Sequence, residues 1–120
     1  MRLSGRVIGM GIEVHRQLGP GLLESAYEEC LCWELAHAGL VFQRQVALPI
    51  VYKGQRLALE FRIDVVVEAG LVLEIKSVGQ LAPVHEAQLL TYLRLSGHRV
   101  GLLMNFNTAV LKDGIRHRVL

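Results

Sequence analysis

The chain has 120 residues, 52% of them hydrophobic and 20% charged, a balance that excludes disorder and gives one domain, residues 1–120, with a single core. Its formal charge of +2 is too small to mark a nucleic-acid binder by itself, although a small groove can still be locally basic. No apolar run approaches the ~20 residues of a membrane span, and Met1–Arg6 carries no apolar signal core, so the expected compartment is the cytoplasm, with no membrane partner.

Residues Ser4 to Leu18 carry Val7, Ile8, Gly11, Ile12, Val14, His15 and Leu18 at helical spacing. Gly19-Pro20-Gly21 ends that helix and turns the chain. A second helix is expected from about Leu22 to Ala38, with Leu23, Ala26, Tyr27, Cys30, Leu31 and Trp33 as its buried side. Cys30 and Cys32, two apart on that helix, point in different directions and read as ordinary thiols. Phe42 to Ile50 alternates as a strand, with Pro49 suited to an edge or a bulge. Lys53-Gly54-Gln55 turns it back into a second strand.

The next stretch, Phe61 to Ser77, carries the chemistry. Leu57, Leu59, Phe61, Ile63, Val65 and Val67 form one apolar row, and Leu71, Leu73 and Ile75 form another. Matching the rows fixes the register, because a slip of one residue turns every side chain over. A loop at Glu68-Ala69-Gly70, with Gly70 free to take positive φ, sets Val67 opposite Leu71, Asp64 opposite Glu74 and Arg62 opposite Lys76. Opposed residues lie roughly 4.5–5.5 Å apart at Cβ, where like charges destabilise the sheet. Two facing carboxylates are explained by a hard divalent cation, Mg²⁺ or Mn²⁺. The plainer alternative is a surface ladder in which Arg62 and Lys76 neutralise the two acids.

After Pro83, placed for a first turn, a third helix is expected to about Leu95, closed by Gly97. Arg99 to Phe106 is nearly continuously apolar, as in a strand buried on both faces, and Ile115 to Leu120 suits a short edge strand. A right-handed crossover through the third helix sets the Val100 strand parallel to the Glu74 strand. The expected fold is α/β, with a mixed central sheet flanked by helices.

An Asp followed by Glu-x-Lys on the next strand resembles the PD-(D/E)XK nuclease superfamily. Gly21-Leu22-Leu23-Glu24-Ser25-Ala26-Tyr27 resembles the GxxExxY signature of one family within it, and EVHRQLGPG and PVHEAQLLTYL extend the likeness over nearly the whole chain. The resemblance implies a nuclease-like core. It implies that Asp64 and Glu74 bind metal together with the Ile75 carbonyl, with Lys76 catalytic beside them. It further implies that Glu24 reaches the site and that Gln88, with Tyr92 four residues on, supports it or contacts phosphate.

For Tyr27, core packing and substrate contact are both open, and His85 and Glu86 have no assigned role. Glu24 also suits the first turn of a helix, as His15 and Arg16 suit the end of one. Arg62, with Arg44, Lys53, Arg56, Arg116 and Arg118, is a candidate for phosphate contact. The leading expectation is a Mg²⁺- or Mn²⁺-dependent nuclease acting on DNA or RNA. The alternatives are a non-catalytic relative that binds nucleic acid or a protein, and a subunit of a homo-oligomer.

Overall fold

The stripe of the first sixteen-residue segment forms helix α1 (Leu3–Leu18), which buries Val7, Gly11, Val14 and His15. Its end is set by Gly19 at φ 69°, whose N–H donates to the His15 carbonyl at 2.7 Å. In this computed structural model, which describes residues 2–120, α2 (Glu24–His37) comes after a short turn. Tyr27 and Leu31 are buried as expected, together with Glu28, Cys32 and Leu35. Leu23 and Trp33, expected in the core, are exposed. Leu23 precedes the helix, and Trp33 lies two residues from both Leu31 and Leu35, on the far side of the 3.6-residue turn. Cys30 and Cys32 are free thiols; burial pushes the Cys32 thiol up to about 11.

The strands are β1 (Phe42–Tyr52), β2 (Gln55–Val67), β3 (Leu71–Lys76), β4 (Val100–Asn105) and β5 (Ile115–Val119). They form one mixed sheet in the order β1-β2-β3-β4-β5. The β3–β4 pair is parallel and the others are antiparallel, with α3 (Pro83–Ser96) as the crossover. His85 acquires a role here: its Nδ1 accepts the Ala82 N–H at 2.9 Å and caps the start of α3. Glu86 pairs with Arg118 and ties α3 to β5.

Two cores lie on opposite faces of the sheet. Tyr27, Leu31, Val65, Val67, Leu73, Ile75, Met104 and Phe106 pack on the α1/α2 side. Leu48, Ile63, Val66, Val72, Leu89, Leu93 and Leu103 pack on the α3 side. The single apolar row expected from Leu57 to Val67 is therefore broken. Ile63 shares a face with Val66, whereas Val65 and Val67 face the other way. The neighbouring strand breaks at the same point: Arg44↔Val65 and Val46↔Ile63 pair, Gln45 and Asp64 do not, and Gln45 has φ 51°. Both strands turn over together, which keeps their register while exchanging their faces. In the β2–β3 loop the left-handed residue is Glu68, φ 53°, rather than Gly70. A Cβ at Gly70 would stand 3.3 Å from His98 Nδ1, so that glycine serves a close approach.

Candidate active site

The expected register is present, with Val67↔Leu71, Val66↔Val72 and Val65↔Leu73, and the ladder stops there. Asp64 and Glu74 are the next residues on either strand. Side chains take over from main-chain carbonyls at this point. The Asp64 N–H donates to Glu74 Oε2 at 2.9 Å, and the Ile75 N–H donates to Asp64 Oδ2 at 2.8 Å. The two carboxylates are thereby held toward each other where β2 and β3 part.

Burial and charge both act on this pair. Glu74 is 4% exposed, and its carboxyl is pushed up to about 8, first by burial and then by the Asp64 charge. Asp64 is also raised, mainly by burial, against the Ile75 N–H, which favours its ionised form. The Tyr92 hydroxyl is pushed up to about 12 by burial, with Glu74 and Asp64 adding to it.

The neutralised ladder is not what forms. Among the described residues neither Lys76 nor Arg62 makes an ion pair with Asp64 or Glu74; Arg62 pairs with Glu60 at 3.4 Å. Arg62 also donates to the Gln45 carbonyl at 3.1 Å. The expected Arg62–Lys76 opposition fails because the ladder ends before it, and the exposed Arg62 guanidinium is turned to Glu60 and the Gln45 carbonyl.

Lys76 lines a cleft of about 540 Å³ with Phe61, Val84, His85, Gln88 and Tyr92, so α3 delivers Gln88 and Tyr92 to the lysine. The Tyr92 ring lies 5.4 Å from that of Phe61. Glu24 comes from the first turn of α2, where its Oε2 accepts the Ser77 N–H at 3.3 Å; Ser77 Oγ donates to the Leu22 carbonyl at 2.6 Å. These bonds fasten the start of α2 to the end of β3 and set Glu24 close enough to raise Asp64 and Glu74.

Tyr27 is corrected. It is fully buried, stacked on Phe106 at 4.5 Å, and its hydroxyl donates to the Gly19 carbonyl at 2.7 Å while accepting the Leu22 N–H at 3.0 Å. No part of it is left for a substrate. It shapes the turn that aims Glu24. His15 is buried too, and its Nε2, 2.8 Å from the Thr108 carbonyl, ties α1 to the segment that follows β4.

Two residues near the site were not singled out from the sequence. Glu28, buried one turn after Glu24, is held by Arg44 Nη2 at 2.9 Å and by Gln45 Nε2 at 3.0 Å, and its charge also raises Asp64. The spacing of four from Glu24 is its only sequence signal. Asn105, 1% exposed, pairs with Lys76 in the parallel ladder. Its Oδ1 accepts the Val78 N–H and its Nδ2 donates to the Val78 carbonyl, both at 3.0 Å. Asn105 thus extends the sheet past Lys76 with a side chain.

Among the described residues no group of three or more His, Cys, Asp or Glu side chains forms a complete metal cage. What is present is two hard carboxylates held face to face, with the Lys76 charge favouring the ionised form of each. Mg²⁺ is typically held by one or two carboxylates, with waters and substrate phosphates completing its shell, so Asp64 and Glu74 fit such an ion better than a soft or fully caged one.

A family model described as the PD-(D/E)XK nuclease superfamily matches residues 1–118. The crystal structure of SSO0001 aligns with 98% of this chain and 76% of its own length, at 15% identity and a TM-score of 0.43. No curated protein matches the sequence.

Proposed function

The chain belongs to the PD-(D/E)XK nuclease superfamily, and on that premise we propose that it is a metal-dependent nuclease hydrolysing phosphodiester bonds in DNA or RNA. The observation that carries this reading is half-buried Asp64 facing buried Glu74 beside a cleft that holds Lys76, Gln88 and Tyr92. Asp64 and Glu74 would hold Mg²⁺ or Mn²⁺, with the Ile75 carbonyl as a third oxygen. The ion would supply Lewis acidity toward the phosphate and lower the pKa of water.

The protein's own groups do the rest. Lys76 orients a water or holds a phosphate oxygen as a compact charge with three donors. Gln88 adds a neutral donor and acceptor on the same wall, and Tyr92 an apolar ring with a polar tip. Glu24, fixed by the Ser77 N–H, orients the site from the α2 side. Gly21, Glu24 and Tyr27, at the spacing of the GxxExxY signature, support placing the chain in that family within the superfamily.

The test is a Mn²⁺ and Mg²⁺ titration of thermal stability, then cleavage assays on DNA and RNA, with Asp64→Asn and Lys76→Ala alongside wild type. Saturation to 100 times the dissociation constant adds about 2.7 kcal/mol, on the order of 10 °C in a domain of this size. We expect that rise in wild type and Lys76→Ala but not in Asp64→Asn, and cleavage in wild type only. Cleavage surviving both substitutions would sink the assignment.

One observation favours a second reading, a non-catalytic member of the same fold. Each acid already accepts a main-chain N–H of the opposite strand, so the pair has a structural use in closing the gap between β2 and β3. Under that reading Asp64→Asn lowers stability and metal ions change nothing.

A further inference from the structure

One face of α3 forms a wall of the cleft that holds Lys76. His85, Gln88 and Tyr92 follow one another along it at helical spacing. No carboxylate lines the cleft among the described residues. Asp64 and Glu74 stand beside its Tyr92 end, close enough to raise that hydroxyl. With an ammonium, an amide, hydroxyls and an imidazole as its polar groups, the cleft suits an anionic ligand.

The imidazole has a definite polarity there. A main-chain N–H can only donate, and the Ala82 N–H donates to His85 Nδ1 at 2.9 Å. Nδ1 therefore keeps its lone pair, and in the neutral ring the proton sits on Nε2. Among the described residues Nε2 has no hydrogen-bond partner, and it is not buried. The neighbouring acid, Glu86, is taken up by Arg118. The cap that starts α3 thus turns the second ring nitrogen into an N–H donor at the cleft.

Its place along α3 says what that donor meets. As the crossover between two parallel strands, α3 runs back against β3, so its first turn stands toward the carboxyl end of β3, where Lys76 lies. Lys76 is two residues past Glu74, about 7 Å along the strand. His85 is seven residues before Tyr92, about 10 Å along the helix. A phosphate at the Asp64–Glu74 pair is met by Lys76 and Gln88, and His85 stands one turn further out. We propose that His85 is a substrate-contact residue whose Nε2–H donates to the phosphate next to the scissile one. The substrate is then a strand carrying consecutive phosphates, not an isolated phosphodiester. This inference rests on the nuclease reading, which puts the scissile phosphate at Asp64 and Glu74.

The test separates the donor from the cap. Glu and Gln at the third helical position both cap a helix start, but a carboxylate has no N–H and an amide has two. His85→Glu and His85→Gln should therefore melt close to wild type. Binding is measured by calorimetric titration without metal, in Asp64→Asn chains so that no cleavage intervenes. The probes are a short oligothymidylate, a short oligouridylate and thymidine 5′-monophosphate. We expect His85→Glu to weaken binding of the preferred oligonucleotide at least about tenfold and His85→Gln by less than about threefold, with the monophosphate within about twofold throughout. An oligonucleotide held equally by all three chains, or by none, overturns the contact. A His85→Gln chain as weak as His85→Glu overturns the donor, and a monophosphate weakened as much as the oligonucleotide overturns its place on the flanking phosphate. Wild-type cleavage is assayed separately. Cleavage with binding indifferent to His85 sinks this contact alone, whereas binding that depends on His85 without cleavage supports the contact and counts against the nuclease reading alone.

Discussion

Glu74 is a carboxylic acid that the fold keeps protonated well above its ordinary range. Its value of about 8, against 4.5 for the free side chain, comes from burial and then from Asp64. The folded state therefore holds this proton more tightly than the unfolded chain between about pH 4.5 and 8. Stability from this group falls as pH rises across that window, since the unfolded state binds fewer protons there. Asp64, raised in the same direction, adds to the slope. We expect the melting temperature of metal-free protein to fall between about pH 5 and 8, and Glu74→Gln, which needs no proton to stay neutral, to flatten that fall. Thermal melts over that range check it; parallel slopes for wild type and Glu74→Gln would contradict the assignment. Mn²⁺ should oppose the fall most at the alkaline end, where both ligands are ionised.

At the scale of the element, the end of β3 is held in place by the end of β4. The Phe106 N–H donates to the Lys76 carbonyl at 2.9 Å, and Asn105 grips both main-chain groups of Val78. Asn105→Ala leaves those groups unpaired, at a cost of about 1–3 kcal/mol. We expect faster amide exchange at Val78 along with the lower melting temperature; unchanged exchange would show that the loop is held otherwise. Helix spans, the parallel β3–β4 pair and the register at Val67↔Leu71 were legible in the sequence because each comes from local periodicity. The face exchange at Gln45 and Asp64 was not, since two strands turn over together and neither shows it alone. The burial of Glu28 depends on Arg44, sixteen residues on, and the direction of Arg62 on the main chain of β1. Asp64, Glu74 and Lys76 stood out because two acids facing each other across a strand pair contradict ordinary sheet chemistry. Gln88 and Tyr92 came only from resemblance and helical spacing; they line one cleft with Lys76.

For the whole molecule, the two cores share β3 and β4 as a common wall. Val72 and Leu103 face α3, while Leu73, Ile75 and Met104 face α1 and α2, so neither layer keeps its partner surface if the other melts. The chain's one tryptophan, Trp33 on the outer side of α2 and stacked on His37 with ring centroids 3.6 Å apart, reports on one layer alone. Leu89 is fully buried in the other layer, close enough to β4 that a Cβ at Gly101 would stand 2.8 Å from it. Leu89→Ala should cost about 2–5 kcal/mol through the cavity it leaves. Because the wall is shared, we expect the Trp33 fluorescence transition to move down together with the far-ultraviolet circular dichroism transition, as in a two-state domain. A fluorescence transition that stays in place while the dichroism shifts would mean that α1 and α2 hold their face of the sheet without α3. In that case the Asp64–Glu74 pair, fastened to α2 through Glu24 and Ser77, would outlast the cleft that Gln88 and Tyr92 complete.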